Sequence, residues 1–427
     1  MTGQQQDVHW SRPMLRGAVA LAMAAVLALA ATACGDDDDS SSSSGGGASS
    51  ETAASASKEP FKVLAVLPMS GPLAAVGKSE EVGFKAATKV INDEGGILGH
   101  PVEVKVVDSG GAGPKAVSLA IEESRKEDYN QISCGSFGDD ALPCADAIAK
   151  TPSLQIPLAA ESRLNDPKAK PYTFMPGNLF DPAEQALAEH MKAKGVQKVA
   201  IVVGDNTTGR LASEILKKAC EAAGLTVTGS TFVPVTAKDA TPQLQKAQAS
   251  NPDAIAITGF TPANGPILAA RTKLGWDVPV YGDVYFAAFN LALIAKPAQM
   301  KGITLEAYPW MVKGNAATET PEFKAFWSNV LALEPHPVLS DIANLVSYSP
   351  LMLARAAAEK AKSVDGPKMA EAMGGVAEGA QVKGFIGPKL LYTPTQHVYR
   401  ATPDDFTFVP AGPTVDGILV PGDGAGA

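Results

Sequence analysis

From residue 61 onward the chain alternates short, continuously apolar runs with helical stretches, and this alternation limits the fold more than any other feature. The first apolar run is Lys62-Val-Leu-Ala-Val-Leu67. Uninterrupted apolar residues over this length are typical of parallel strands buried on both faces, because half-exposed strands alternate polar and apolar residues. The sequence therefore predicts an α/β fold in which helices cover both faces of parallel sheets.

Two successive series of strands and helices follow this pattern. The first is predicted to contain strands at residues 62–67, 102–107, 131–134 and 154–157 and helices at residues 77–94, 114–126 and 139–150. The second is predicted to contain strands at residues 198–203, 225–232, 253–258 and 278–281, a helix N-capped by Asp181, a helix at residues 211–223, and helices beginning at Thr241 and Thr261. Two series of similar length predict two doubly wound lobes rather than one continuous sheet. Residues 320–375 are predicted to be mostly helical, with short strands at residues 390–392 and 406–409.

The first 33 residues are typical of an export signal. Arg12 and Arg16 precede an apolar run, residues 17–33, that is too short and too rich in small residues for a membrane span. The run ends in small residues directly before Cys34, which resembles the lipobox of bacterial lipoproteins, although Ala31 stands where lipoboxes usually carry leucine. The resemblance implies a signal peptide at residues 1–33 and an acylated Cys34.

The segment that follows Cys34 has a composition that cannot fold. Residues 34–60 contain runs of aspartate, serine and glycine and almost no apolar side chains, so burial cannot offset chain entropy. We predict a lipidated, disordered tether that holds the body near a membrane. The alternative is a plain secreted protein cleaved after Ala33. Residues 422–427 are predicted to be a frayed tail.

Charge and motif content exclude several function classes. The formal net charge is −9, whereas nucleic-acid binding needs a concentrated basic face. The five histidines form no pair at metal-ligand spacing, and neither a Gly-x-Ser-x-Gly nor a phosphate-loop Gly-Lys-Ser/Thr motif is present. The sequence thus predicts no catalytic residues, no metal, no cofactor and no nucleic-acid partner.

Two cysteines lie close together in the first series. Cys134 ends a predicted strand and Cys144 lies inside the next predicted helix. An exported compartment permits disulfides, so this pair could bridge if the intervening loop folds back, and the sequence leaves both states open. Cys220 is predicted to be a buried single thiol.

In open parallel sheets, ligands bind beyond the carboxyl ends of the strands. That rule selects the loops at residues 70–71, 108–113, 137–140, 159–162, 205–209, 259–261 and 282–285. If two lobes face each other, these loops line one cleft, and a ligand there contacts both lobes.

Several stretches in these regions carry a family resemblance. They are Met69-Ser-Gly-Pro-Leu, Ile91-Asn-Asp-Glu-Gly-Gly-Ile-Leu-Gly99, Val107-Asp108, Pro143-Cys-Ala-Asp146 and residues 199–203. In this order and spacing, residues 62–408 resemble the solute-binding proteins of ABC importers, specifically the branched-chain amino-acid-binding type.

The resemblance implies a type I periplasmic-binding-protein fold, also called a Venus flytrap. In this α/β fold, two doubly wound Rossmann-like lobes are joined by three crossovers, here expected near residues 174–176, 305–308 and 382–387. Lobe 1 would hold residues 61–175 plus 309–381, and lobe 2 would hold residues 176–308 plus 382–421.

The same resemblance implies a function. It predicts a non-enzymatic, monomeric body, lipid-anchored on the outer face of the cell membrane, that captures an amino acid, an amide or a related small polar solute. The partners would be an ABC permease and its ATPase subunits. The alternatives are a ligand sensor of the same fold that signals to a membrane partner, or an enzyme.

Ligand-binding residues are implied by position. In the family, hydroxyl groups and backbone N–H groups after the third and fourth strands hold the solute carboxylate, and an acid that maps close to Asp283 holds its amine. The family's aromatic positions map to Val76, Thr208 and Phe260, and Tyr285 would supply a second ring. The predicted ligand-binding residues are Ser70, Phe137, Gly138, Asp139, Asp140, Ala160, Glu161, Ser162, Thr208, Phe260, Asp283 and Tyr285.

Asp139 and Asp140 have two interpretations. They stand where the family carries hydroxyl residues, and an ionised carboxylate there would repel an anionic solute. One interpretation is that either residue caps the helix that follows. The other is an acidic cleft suited to a neutral or cationic solute such as an amide or amine.

Overall fold

The structure is a computed structural model that describes residues 58–159, 161–176, 180–337, 339–376, 382–387, 392–398 and 401–422. The predicted signal peptide, Cys34, nearly all of the tether, Ala160, most of the predicted strand at residues 390–392 and nearly all of the tail lie outside the described residues. Within these residues, no helix combines the length and the apolar composition needed to span a bilayer.

The first sheet has four parallel strands in the order β2-β1-β3-β4. The strands are β1 (Phe61–Leu67), β2 (Val102–Asp108), β3 (Gln131–Cys134) and β4 (Leu154–Gln155). Almost every residue of β1 is buried, as expected for a central strand covered on both faces. β4 is shorter than predicted and ends at Gln155, although Ile156 N still donates a hydrogen bond to Ile132 O at 2.9 Å.

The second sheet has six strands in the order β10-β9-β8-β7-β5-β6. The strands are β5 (Lys198–Asp205), β6 (Thr226–Pro234), β7 (Ala254–Ile257), β8 (Val280–Gly282), β9 (Ile303–Ala307) and β10 (Thr407–Pro410). All neighbours are parallel except β10, which pairs antiparallel with β9. A small hairpin follows, made by β11 (Thr414–Val415) and β12 (Ile418–Leu419).

Helices connect the strands of both sheets. They are α1 (Ala74–Asp93), α2 (Gly113–Lys126), α3 (Gly138–Ile148), α4 (Phe180–Ala193), α5 (Thr207–Ala222), α6 (Thr241–Ala249), α7 (Asn264–Lys273), α8 (Val284–Ala287), α9 (Leu291–Ile294), α10 (Pro297–Met300), α11 (Pro321–Leu333), α12 (Asp341–Ala361) and α13 (Gly366–Met373). The predicted α/β class with two doubly wound halves is confirmed.

Local side chains explain where three helices start. α5 begins four residues before its predicted start, because Asn206 caps it by accepting a hydrogen bond from Gly209 N at 2.7 Å. α7 begins at Asn264 rather than after Thr261, whose hydroxyl instead accepts a hydrogen bond from Ala263 N at 3.2 Å and forms a turn. The predicted N-cap role of Asp181 is wrong, because α4 begins at Phe180 and Asp181 lies inside its first turn, where a negative charge is still favourable.

α12 returns from far along the chain to pack against α1. Asn344 Nδ2 donates a hydrogen bond to Ser79 O at 2.8 Å, which joins the two helices across 265 residues of sequence. A Cβ atom on Gly83 would lie 2.0 Å from Asn344 O, so this close approach requires glycine. The contact places the amino-terminal half of α12 beside the carboxyl ends of the strands in the first sheet.

Candidate functional site

Loops that follow the strands of both sheets line one cavity of about 170 Å³. Ser136, Phe137 and Gly138 follow β3 in the first sheet, whereas Phe260 follows β7 in the second. α1 contributes Val76 and Glu80, α5 contributes Thr208, α8 contributes Tyr285, and residues 342–349 of α12 form another wall. Cavities of about 150 Å³ hold a molecule the size of benzene, so this volume suits a small organic ligand.

Most of the cavity wall is apolar and much of it is aromatic. The aromatic lining residues are Phe137, Phe180, Phe260, Tyr285, Tyr308, Trp310 and Phe385. The rings of Phe137 and Phe260 lie 6.4 Å apart between their centroids, so a ring from each sheet meets at the cavity. Such walls favour a ligand with an apolar body.

Glu80 is the charged exception in this wall. Of the described residues that line the cavity, it alone is an acid, and none is lysine, arginine or histidine. Its side chain is 2% exposed, and Oε2 accepts a hydrogen bond from Ser136 Oγ at 2.7 Å. Burial raises the pKa of Glu80 to about 8, opposed by the Ser136 hydrogen bond and assisted by the charge of Asp140. The raised pKa favours the neutral form of Glu80 at pH 7.

Asp140 caps the helix in which it lies. It occupies the third position of α3, is buried, and accepts a hydrogen bond at Oδ1 from Phe137 N at 2.9 Å. Burial raises the pKa of Asp140, while backbone N–H groups lower it. Asp139 is exposed. Neither aspartate is among the residues that line the cavity, so the capping interpretation accounts for Asp140.

Three other predicted residues are exposed or form contacts within the protein instead of lining the cavity. Glu161 is buried and accepts hydrogen bonds from Arg163 N and Nε, both at 2.9 Å, and from Arg163 Nη2 at 2.7 Å. Ser162 is exposed. Ser70 is exposed and donates a hydrogen bond from Oγ to Asp108 Oδ2 at 2.6 Å. None of Ser70, Glu161 and Ser162 is among the cavity-lining residues.

Asp283 lies beneath the cavity rather than in its wall. Its side chain is fully buried, Oδ1 accepts a hydrogen bond from Phe286 N at 2.7 Å, and Oδ2 accepts one from Gly259 N at 2.9 Å. Oδ2 also lies 2.8 Å from Thr258 Oγ1, which contacts the buried Glu184 as well. Because Thr258 has one hydroxyl proton for two carboxyl groups, one of these acids must carry a proton. Burial raises the pKa of Asp283 to about 6.

The structure therefore brings together part of the predicted site. Phe137, Gly138, Thr208, Phe260 and Tyr285 line one cavity. Sequence reasoning missed Glu80, Ser136, Tyr308, Trp310 and the walls from α12 and residues 385–387. Glu80 had a detectable signal, because it falls on the helical face of α1 that carries Val76, Phe84, Ala87 and Ile91.

A disulfide joins Cys134, at the end of β3, to Cys144 in α3. This bond ties the end of a strand to the helix whose first turn lines the cavity. Cys220 is a buried free thiol, and burial raises its pKa to about 12. Across the described parts of the chain, no group of three or more His, Cys, Asp or Glu side chains is arranged to hold a metal ion.

Comparison with known proteins identifies a family and relatives that resemble this chain. A family model described as periplasmic binding protein matches residues 60–402. The Leu/Ile/Val-binding protein BraC3 of Rhizobium johnstonii is 24% identical over 335 residues, covering 77% of this chain and 86% of the relative. A Leu/Ile/Val-binding protein homolog from Brucella melitensis is 22% identical over 316 residues, covering 73% of this chain and 82% of the relative.

Solved structures share the fold. The branched-chain amino acid transporter substrate binding protein LivJ from Streptococcus pneumoniae, in complex with isoleucine, superposes with a TM-score of 0.69 at 16% identity, covering 84% of this chain and 98% of that chain. A solute binding protein of an ABC transporter from Rhodopseudomonas palustris, in complex with 4-hydroxybenzoate, has a TM-score of 0.69 at 22% identity, covering 85% of this chain and 96% of that chain.

Proposed function

The chain belongs to the periplasmic binding protein family, and from that premise we propose that it captures a small solute between its two lobes and delivers it to an ABC importer. The observation that carries the proposal is the cavity itself, whose walls come from loops after strands of both sheets. Relatives named for branched-chain amino acids and for 4-hydroxybenzoate support a small organic solute. We propose binding without turnover.

The proposed lobes follow the two sheets. Lobe 1 would hold residues 61–175 plus 309–381, and lobe 2 residues 176–308 plus 382–421. Packing of α12 against α1 and pairing of β10 with β9 support this division. A solute that contacts Phe137 on one side and Phe260 on the other would stabilise only the closed arrangement, which a permease could then recognise.

A thermal-shift panel tests this function. The purified protein would be heated with leucine, isoleucine, valine, 4-hydroxybenzoate, and small amides and amines. A ligand present at a hundredfold excess over its Kd stabilises the folded state by about 2.7 kcal/mol, so a true solute raises the melting temperature by several degrees.

Two variants test whether a ligand-induced rise in melting temperature depends on the cavity. Phe260→Ala removes a ring from the wall and should reduce the shift, whereas Leu293→Ala alters a side chain that is 62% exposed and should leave it unchanged. The proposal fails if no compound stabilises the protein, or if the shift survives in Phe260→Ala.

We also propose that Cys34 carries the acyl chains that hold the protein at the outer face of the membrane. The small residues before Cys34 and the low-complexity segment after it support this anchor. Two acyl chains give stable membrane attachment, whereas one chain is marginal. Cys34→Ala should release the protein into the medium or the soluble fraction, and retention of the variant in the membrane fraction would contradict the anchor.

A further inference from the structure

The charges around the cavity are one-sided. Glu80 lines the wall, and Asp140 lies close enough for its charge to act on Glu80. Both side chains are at most 5% exposed, so water screens them poorly. None of the described lining residues is a lysine, arginine or histidine, so no cation among them balances these acids.

Two hydrogen-bond donors beside Glu80 and Asp140 are already engaged within the protein. The Ser136 hydroxyl donates to Glu80 Oε2 at 2.7 Å. Phe137 N, at the start of α3, donates to Asp140 Oδ1 at 2.9 Å. A ligand anion placed here would find these two donors occupied, and Glu80, once ionised, would repel it.

Glu80 Oε1 is the carboxyl oxygen that Ser136 does not contact. Among the described residues, the only hydrogen-bond partner of the Glu80 carboxyl group is Ser136, and it contacts the other oxygen. Oε1 is therefore available to a ligand in the cavity that Glu80 lines.

The aromatic part of the cavity wall suits the hydrocarbon body of a cationic ligand. Phe137, Phe260 and Trp310 place aromatic rings along the same cavity. Aromatic faces attract ammonium groups, more strongly when water is excluded, and aromatic and aliphatic walls bury a hydrocarbon body.

We propose that the ligand is an organic ammonium ion with an apolar body, and that Glu80 binds its charged nitrogen. This inference rests on the proposed solute-binding function and specifies the class of solute. On binding, the neutral Glu80 carboxyl group loses its Oε1 proton to solvent and becomes a carboxylate paired with the ammonium group. Charge is conserved, because the cation enters as one proton leaves.

The test compares matched ligands by isothermal titration calorimetry on the full chain. One series is leucine, isoamylamine and isocaproate, and the other is phenylalanine, phenethylamine and hydrocinnamate, with hydrocinnamamide as a neutral probe. Within each series the hydrocarbon body is constant while the charged groups change. Titrations at pH 7 in phosphate and in Tris give the number of protons released, because the two buffers differ in ionisation enthalpy.

We expect at least one amine to bind more tightly than its matched amino acid and carboxylate, with about one proton released per amine. Glu80→Gln should weaken amine binding by about 30-fold or more and abolish proton release. Glu81→Gln is the matched control, because Glu81 is the next residue on α1 and pairs with Lys85 instead. The proton count uses the unmodified protein, so it tests the proposal even if Glu80→Gln does not fold.

Three outcomes overturn this inference. The first is that the carboxylates or amino acids bind and the amines do not, in which case solute binding stands and only the ligand class is wrong. The second is that Glu80→Gln binds amines as tightly as the unmodified protein, or that binding releases no proton. The third is that no compound of any charge binds, which also counts against the proposed function.

Discussion

At the scale of single residues, the cavity is lined by Glu80, which the sequence analysis did not select, and not by Asp283, which it did. Asp283 follows β8 directly, so its position predicts a ligand contact, but neighbouring backbone N–H groups occupy both of its oxygens. Glu80 lies in the middle of a helix, where acids are usually solvated, yet it points to the buried face. Helical periodicity could have identified Glu80, whereas the backbone partners of Asp283 depend on loop geometry that no sequence pattern encodes.

Burial of Glu80 predicts a pH dependence of stability. Its pKa is raised from 4.5 to about 8, so its folded form keeps a proton that the unfolded chain loses. The stability that goes with that proton is fully present below pH 4.5 and is lost as the pH rises to about 8. From the size of the shift, the loss is on the order of 4 kcal/mol.

The measurement is urea unfolding from pH 4.5 to 8.5 for the unmodified protein and for Glu80→Gln. The difference in free energy of unfolding between the two should move in favour of Glu80→Gln as the pH rises. Taking this difference cancels the other buried acids with raised pKa, such as Asp283 and Glu306. If the free energies of unfolding of the unmodified protein and Glu80→Gln changed equally with pH, the prediction would be wrong. Glu81→Gln is the control and should change with pH as the unmodified protein does.

At the scale of elements, most strands and the longer helices were predictable because their signals are local, whereas β9, β11 and β12 were not predicted. Apolar runs located β1 and β5, and the Thr241-Pro242 pair located the start of α6. The cavity wall contributed by α12 was not predictable, since it depends on the packing of that helix against α1 across 265 residues. Whether Cys134 and Cys144 form a disulfide could not be predicted for the same reason, because pairing depends on how the loop after β3 folds back.

The disulfide between Cys134 and Cys144 predicts a redox dependence of stability. The two cysteines are 10 residues apart, and a cross-link that closes a loop of this size stabilises the folded state by about 2–3 kcal/mol. We expect the melting temperature of the unmodified protein to fall when dithiothreitol is added. A chain with Cys134→Ala and Cys144→Ala should melt at the lower temperature with or without dithiothreitol.

Thiol counting provides the control for that experiment. In a Cys34→Ala background, the folded oxidised protein should show no reactive thiol, because Cys220 is buried and its pKa is raised to about 12. An unchanged melting temperature after reduction, with two new thiols counted, would show that the bond contributes nothing to stability.

At the scale of the whole molecule, residues 382–387 connect distant parts of the chain to the cavity. Phe385, Ile386 and Gly387 line the cavity wall. The segment is held by Glu94 at the end of α1, whose Oε2 accepts hydrogen bonds from Arg355 Nη1 at 2.8 Å and from Lys383 Nζ at 2.6 Å. Residues almost 300 positions apart in sequence thus hold one cavity wall, which the family resemblance locates only as a crossover.

Glu94→Gln tests whether this cluster holds the wall. The variant keeps the size of the side chain and one acceptor oxygen but removes the negative charge, so the buried Arg355 guanidinium and Lys383 lose their ionic partner. We expect a loss of about 1–2 kcal/mol in the free energy of unfolding and faster amide hydrogen exchange in residues 382–387. The control is Asp93→Asn, because the exposed ion pair of Asp93 with Lys89 should contribute less than about 0.5 kcal/mol.

The pH dependence of this effect is opposite to that of Glu80. The hydrogen bond from Lys383 and the charge of Arg355 lower the pKa of Glu94, while partial burial raises it. Its contribution is therefore present above the ordinary glutamate pKa of 4.5 and is lost as the pH falls through the depressed value. The stability difference between the unmodified protein and Glu94→Gln should therefore shrink at low pH. By contrast, the difference between the unmodified protein and Glu80→Gln should favour the unmodified protein most at low pH. Equal effects of Glu94→Gln and Asp93→Asn at all pH values would mean that the cluster is an ordinary surface ion pair and that residues 382–387 are held by their apolar contacts alone.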